Sequence, residues 1–214
     1  METGNELMVR HLVEGGFLKT PLIIEAFRRV DRADFVLPEY LEMAYDDEPL
    51  PIGHGQTISQ PLTVAFMLEL LAPQPGERVL DIGTGSGWKG TLVAYIVSSG
   101  GAPGMVTSVE CVLALKELSE KNIKKYGFVE KGAMALFRGD GAQPLAGEPL
   151  FQKIICGAAA AGTIPEAWKS EVAVGGRIVS PVDHSIWVFD RVGATEFRTT
   201  EYPGFSFVPL ACNE

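Results

Sequence analysis

From Pro61 onward, short apolar runs alternate with longer amphipathic stretches, which predicts strands alternating with helices. A helix over 61–72 leads to "ERVLDIG", an apolar strand that ends in an acid and then glycine. A helix over about 87–98 precedes a second strand, "GMVTSVE", and a helix over 112–126 leads to a third near 133–138, followed by "GDG". "FQKIICGAAA" reads as a fourth strand, with a helix starting at Pro165. "GGRIVSPV" reads as a fifth, and "SIWVFDRV" and "GFSFVPL" as a closing antiparallel pair. This alternation predicts an α/β fold, a doubly wound, mostly parallel seven-stranded sheet covered on both faces.

The first 58 residues follow a different pattern. Thr3 followed by Glu6 predicts a capping box, with Leu7, Leu12 and Val13 as the apolar stripe of a helix ending at Gly15-Gly16. Thr20-Pro21 opens a second helix through Val30 that buries Leu22, Ile23, Ala26 and Phe27. Residues 33–58 are rich in Pro, Gly and acids without lasting periodicity, and their Phe35, Tyr40, Tyr45, Leu50 and Ile52 argue for an ordered loop crossing the domain. The expected organisation is one domain over 1–214: helices and a covering loop in 1–58, and an α/β core in 59–214.

With 214 residues, 46% hydrophobic and 21% charged, the chain can bury a large core. Its net charge of −9 argues against a nucleic-acid partner, which needs clustered Lys and Arg. Lys116, Lys121, Lys124 and Lys125 are spaced as the solvated face of a helix. Cys111, Cys156 and Cys212 are odd in number and match no metal-ligand spacing, which points to a reducing compartment. The acidic N-terminus lacks the pattern of a secretory leader, and no apolar run approaches the ~18–20 residues of a membrane span. A cytoplasmic protein, monomeric or weakly self-associating and without a membrane partner, is expected.

"VLDIGTGSGWKG" combines a strand tip, a glycine-rich turn and a helix start, the place where doubly wound sheets bind ligands. The spacing Gly85-x-Gly87-x-x-Gly90 also satisfies a dinucleotide fingerprint. Asp81 discriminates between the two: a carboxylate there repels a pyrophosphate but suits the ammonium of S-adenosylmethionine (SAM). Glu110, at the end of the second strand, is placed for ribose hydroxyls, and Asp140 in "GDG" for the adenine edge.

"AYDDEPLPIGHGQTISQP", "VLDIGTGSGW", "VTSVE", "GDG", "GAAAAGTIPEAW", "GGRIVSPV" and "FVPL" together resemble the protein-L-isoaspartate O-methyltransferases, in order and spacing, over roughly residues 7–210. "GQTISQP" is the specific stretch. The resemblance implies methyl transfer from SAM to the side-chain carboxylate of L-isoaspartyl residues, and more weakly of D-aspartyl residues, in damaged proteins and peptides. It places the active-site serine at Ser59. It places cofactor contacts at Thr57, Ile58, Ser59, Gln60, the loop of Gly83, Thr84, Gly85, Ser86 and Gly87, Glu110, and Asp140-Gly141. The chain departs from the pattern at Gln152, at Ala161-Gly162 and at His54.

A carboxylate, ionised above about pH 4, needs no general base to act as a nucleophile. A hydroxyl at Ser59 and the surrounding backbone can orient it without a countercharge. Ser59 is equally placed to N-cap the helix that begins at Gln60-Pro61, and Thr57 is a rival hydroxyl. His54 reads as a loop residue, Trp187 and Phe207-Val208 as groove or core residues, and no metal site is expected. The competing functions are a methyltransferase for RNA or a small molecule, a SAM-binding peptide adaptor without turnover, and a nicotinamide-dependent oxidoreductase.

Overall fold

The first helix, α1 (Gly4–Glu14), starts where the Thr3 side chain accepts from the Glu6 N–H. Its buried stripe is Asn5, Met8, Val9 and Leu12, a spacing of three, four and seven residues. Leu7 and Val13 are instead exposed. The shift has a cause: Asn5 Nδ2 donates to the Phe27 carbonyl at 2.9 Å, which turns that face of α1 onto α2 (Pro21–Arg29). Ile23, Ala26 and Phe27 bury the inner face of α2, and Leu22 packs at its margin. The description comes from a computed structural model and covers residues 3–101, 103–145 and 147–210, so Cys212 lies outside it.

Residues 33–58 are ordered but are more than a loop. They hold two 3₁₀ turns (Arg32–Phe35 and Pro38–Met43) and a hairpin of β1 (Leu50–Gly53) and β2 (Gln56–Ile58). His54 and Gly55, both at positive φ, make its two-residue turn.

The remaining elements are α3 (Pro61–Leu71), β3 (Arg78–Ile82), α4 (Trp88–Val97), β4 (Met105–Glu110), α5 (Leu113–Ile123), β5 (Met134–Arg138), β6 (Phe151–Cys156), α6 (Glu166–Glu171), β7 (Val172–Val182), β8 (Ser185–Arg191) and β9 (Phe197–Pro203). Strands β3 to β9 form one sheet of seven in the order β5-β4-β3-β6-β7-β8-β9. Pairings from β5 to β7 are parallel, and β8 and β9 add antiparallel. The order reverses between β3 and β6, which opens a crevice at their carboxyl ends.

The last strand differs from expectation. It is "FRTTEYP" rather than "GFSFVPL", because an edge strand with solvent on both sides needs no apolar face. After Gly204, at φ +96°, the apolar segment turns back over the sheet. Phe205 stacks on Phe66 of α3, and the Ala159 N–H donates to the Val208 carbonyl at 2.8 Å.

Candidate functional site

Burial explains why the strand tips converge. In β3, Val79, Leu80, Asp81 and Ile82 are all buried, so the chain emerges from the core directly into Gly83. Gly83, Gly85 and Gly87 all have positive φ, a path open to glycine but strained for other residues. The turn therefore presents its backbone to the crevice and delivers α4 at Trp88. Gly83, Thr84, Gly85 and Ser86 line one wall of a cavity. Gly87 packs away from it, since a Cβ there would meet Ile123 at 2.9 Å.

Glu110, at the tip of β4, is almost fully buried and lines the same cavity. Its Oε2 accepts from the Gly85 N–H at 2.9 Å and its Oε1 from the Val112 N–H at 3.0 Å. Two backbone donors thus fix the carboxylate, while each oxygen keeps a lone pair for a hydroxyl donor. Asp140 lines the rim; its Oδ1 accepts from the Ala142 N–H at 2.9 Å. Gly141 lies against Ile82, where a Cβ would sit 2.5 Å from Cγ2.

The hairpin roofs this floor. Ile52 of β1 reaches within 3.2 Å of where a Gly85 Cβ would stand, and Thr57, Ile58 and Ser59 line the cavity. Arg32 fixes the roof from behind. Its guanidinium is fully buried and donates to the carbonyls of Ala44 (2.7 Å), Asp46 (3.3 Å), Glu48 (2.8 Å) and Ser59 (3.2 Å), 5.4 Å from the Trp88 ring. Burial lowers its pKa to about 10, still far above neutrality, so the charge persists.

Besides Gly87, three expectations change. Ser59 does not cap α3: the cap residue is Gln60, and Asp47 Oδ1 accepts from the Leu62 N–H at 2.8 Å. The Gln60 side chain turns to Asp47 (3.1 Å) and Thr63 (3.1 Å) and does not line the cavity. Asp81 has no exposed surface; Lys89 Nζ lies 2.5 Å from its Oδ1, and Ser108 Oγ donates to Oδ2 at 3.1 Å. Its charge is spent inside the protein and is not offered to a ligand.

Val208, expected as a groove or core residue, lines the cavity, and so do residues not expected there: Lys89, Cys111, Gly157-Ala158 and Pro209-Leu210. Lys89 follows the glycine loop on a helix, where a lysine ordinarily reads as solvated. Pro209-Leu210 were legible only as part of an apolar run. His54 is exposed on the hairpin turn, and no histidine lines the cavity. Trp187 stacks with Phe189, and Phe207 packs on the core. Gln152 Oε1 accepts from the Arg78 N–H at 2.7 Å, and the Gly162 N–H donates to Asp183 at 3.1 Å. Among the described residues no group of three or more His, Cys, Asp or Glu is gathered for a metal, and no helix is long and apolar enough to cross a membrane.

A family model described as Protein-L-isoaspartate(D-aspartate) O-methyltransferase (PCMT) matches residues 2–214. A curated protein-L-isoaspartate O-methyltransferase of Aeropyrum pernix is 44% identical over 175 residues, 82% of this chain and 65% of that relative. One from Methanospirillum hungatei is 39% identical over 211 residues, 97% of this chain and 93% of the relative. A Plasmodium falciparum crystal structure, described as such a methyltransferase in complex with S-adenosyl-L-homocysteine, superposes with a TM-score of 0.88 at 24% identity, covering 99% of this chain and 100% of that one.

Proposed function

Since this chain belongs to the protein-L-isoaspartate(D-aspartate) O-methyltransferase family, we propose that it transfers the methyl group of SAM to the free carboxylate of L-isoaspartyl residues in damaged proteins and peptides. D-aspartyl residues are the weaker substrates. The carrying observation is that Thr57–Ser59 and the glycine loop line one cavity, while the helix cap that Ser59 was placed to supply comes from Asp47. That leaves the Ser59 hydroxyl available to a ligand.

The residues present fit the cofactor. Glycines at positive φ leave room for close approach, Glu110 keeps acceptor capacity for ribose hydroxyls, and Asp140 stands at the rim. Thr57, Ile58 and Ser59 hold the cofactor from the roof, and Gly83–Ser86 and Gly141 from the floor. When bound, SAM supplies a methyl group on a cationic sulfur, open to attack by an anionic oxygen.

The chain's own part is positioning. Ser59 donates a hydrogen bond to the substrate carboxylate and aims it, and the hairpin and Val208–Leu210 exclude water. No proton has to be removed, which accords with a cavity lined by no histidine. The whole chain works as one catalytic unit. The net charge of −9 favours a peptide over a nucleic-acid substrate, and the scattered cysteines favour a reducing, cytoplasmic compartment.

Labelled SAM offered with an isoaspartyl peptide and, separately, its normal-aspartyl twin tests the assignment. Label on the isoaspartyl peptide alone is expected. Equal labelling, or none, would refute it.

A further inference from the structure

The buried pair beneath the glycine loop has its two charges at different depths. Asp81 has no exposed surface, and its side is closed further by Gly90, where a Cβ would lie 2.6 Å from Oδ2. Ser108 and Lys89 occupy its two oxygens. Lys89, with 9% of its side chain exposed, is the member of the pair that lines the cavity.

An ammonium has three donors. Nζ forms an ion pair with Asp81 Oδ1 at 2.5 Å and donates to the Ile82 carbonyl at 3.2 Å. No further partner of Nζ is found among the described residues. Gly157 keeps the space over it open, because a Cβ there would stand 3.3 Å from Nζ and 3.1 Å from the Gly83 carbonyl.

The charge that this end of the cavity offers is therefore positive. It sits at the start of the glycine loop, beside Ile82 and Gly157, whereas Glu110 grips the loop at Gly85. A buried cation paired on one side and open on the other selects an anionic oxygen. Its pairing with Asp81 offsets part of the cost of burying it.

We propose that Lys89 binds the methionyl carboxylate of SAM, with Asp81 as the buried counterion that positions it. The inference rests on the SAM reading given above.

Calorimetry separates the possibilities with three ligands: SAM, S-adenosylhomocysteine and decarboxylated SAM, which keeps the sulfonium and ammonium but lacks the carboxylate. The proteins are wild type, Lys89→Gln, and the double variant Asp81→Asn/Lys89→Gln, which removes both buried charges together and keeps the fold accessible if the single change does not. Both variants should bind SAM and S-adenosylhomocysteine about ten- to a hundredfold more weakly, the range for a lost charge-assisted hydrogen bond. Decarboxylated SAM should bind them at least as well as it binds wild type, because a repelling cation has gone. Equal weakening for all three ligands, or weakening for none, would overturn the role of Lys89. Wild type that binds none of the three would overturn the SAM reading itself.

Discussion

Replacing Ser59 by Ala should leave stability within about 0.5 kcal/mol of wild type, because Ser59 carries no cap. Turnover of an isoaspartyl peptide should fall about ten- to a thousandfold, by comparison with the loss of one positioned donor in a transition state. Asp47→Ala should do the reverse in denaturant melts, costing about 0.5–2 kcal/mol through the lost cap on Leu62. A Ser59→Ala protein with normal turnover, or one unstable enough to explain its loss of rate, would return Ser59 to a structural role. Glu110→Gln is a second test at this scale. An amide nitrogen cannot accept from Gly85 or Val112, so SAM affinity measured by calorimetry should drop about ten- to a hundredfold. Legibility at this scale was uneven. Glu110 and the glycines were readable because strand tips and turns demand particular residue types. The cap was not, because Asp47 reaches α3 from a loop thirteen residues before Gln60, through a contact that only the folded chain makes. Lys89 was hidden for the same reason: its burial depends on Asp81 from another element.

Between elements, two arginines do the fastening. Arg32 joins residues 44–48 to the carbonyl of Ser59. Arg32→Met leaves four buried or half-buried carbonyls without their donor and should cost about 3 kcal/mol or more. Hydrogen exchange should rise first in 44–48 and the hairpin; exchange rising evenly over the whole protein would contradict a local fastening. Arg177 links β7 to Asp190 of β8 at 2.6 Å and to the Leu70 carbonyl of α3 at 2.6 Å. Burial pushes the Asp190 carboxyl up, but Arg177 and then Arg198 outweigh it, so the net pKa is lowered. A lowered folded pKa gives stability that is present above the unfolded value of about 3.9 and lost as pH falls through the folded value. Asp190→Asn should therefore cost about 1–2 kcal/mol at pH 7 and progressively less below about pH 4 in acid melts. A pH-independent cost would show that packing, not charge, is lost. The strands and helices after Pro61 were legible from periodicity, whereas the 3₁₀ turns and hairpin of 32–58 are too short to carry a period. The edge strand β9 was missed because it lacks an apolar face, and the apolar "GFSFVPL" was read in its place.

For the whole molecule, the sheet reverses order between β3 and β6, the segment Gln56–Ser59 lies over that crevice, and Val208–Leu210 close its side. The cavity is lined with hydrogen-bonding groups, among them Thr57, Ser59, Lys89 and Glu110, and by no histidine. The proposed catalysis works by positioning a carboxylate that is already ionised. The most direct test is the pH dependence of kcat for an isoaspartyl peptide at saturating SAM. The rate should stay level from about pH 6 to pH 8, since the nucleophile carries its charge throughout. A rate that falls with a midpoint near about 6.5 as the solution is acidified would show an essential histidine-like base and contradict it.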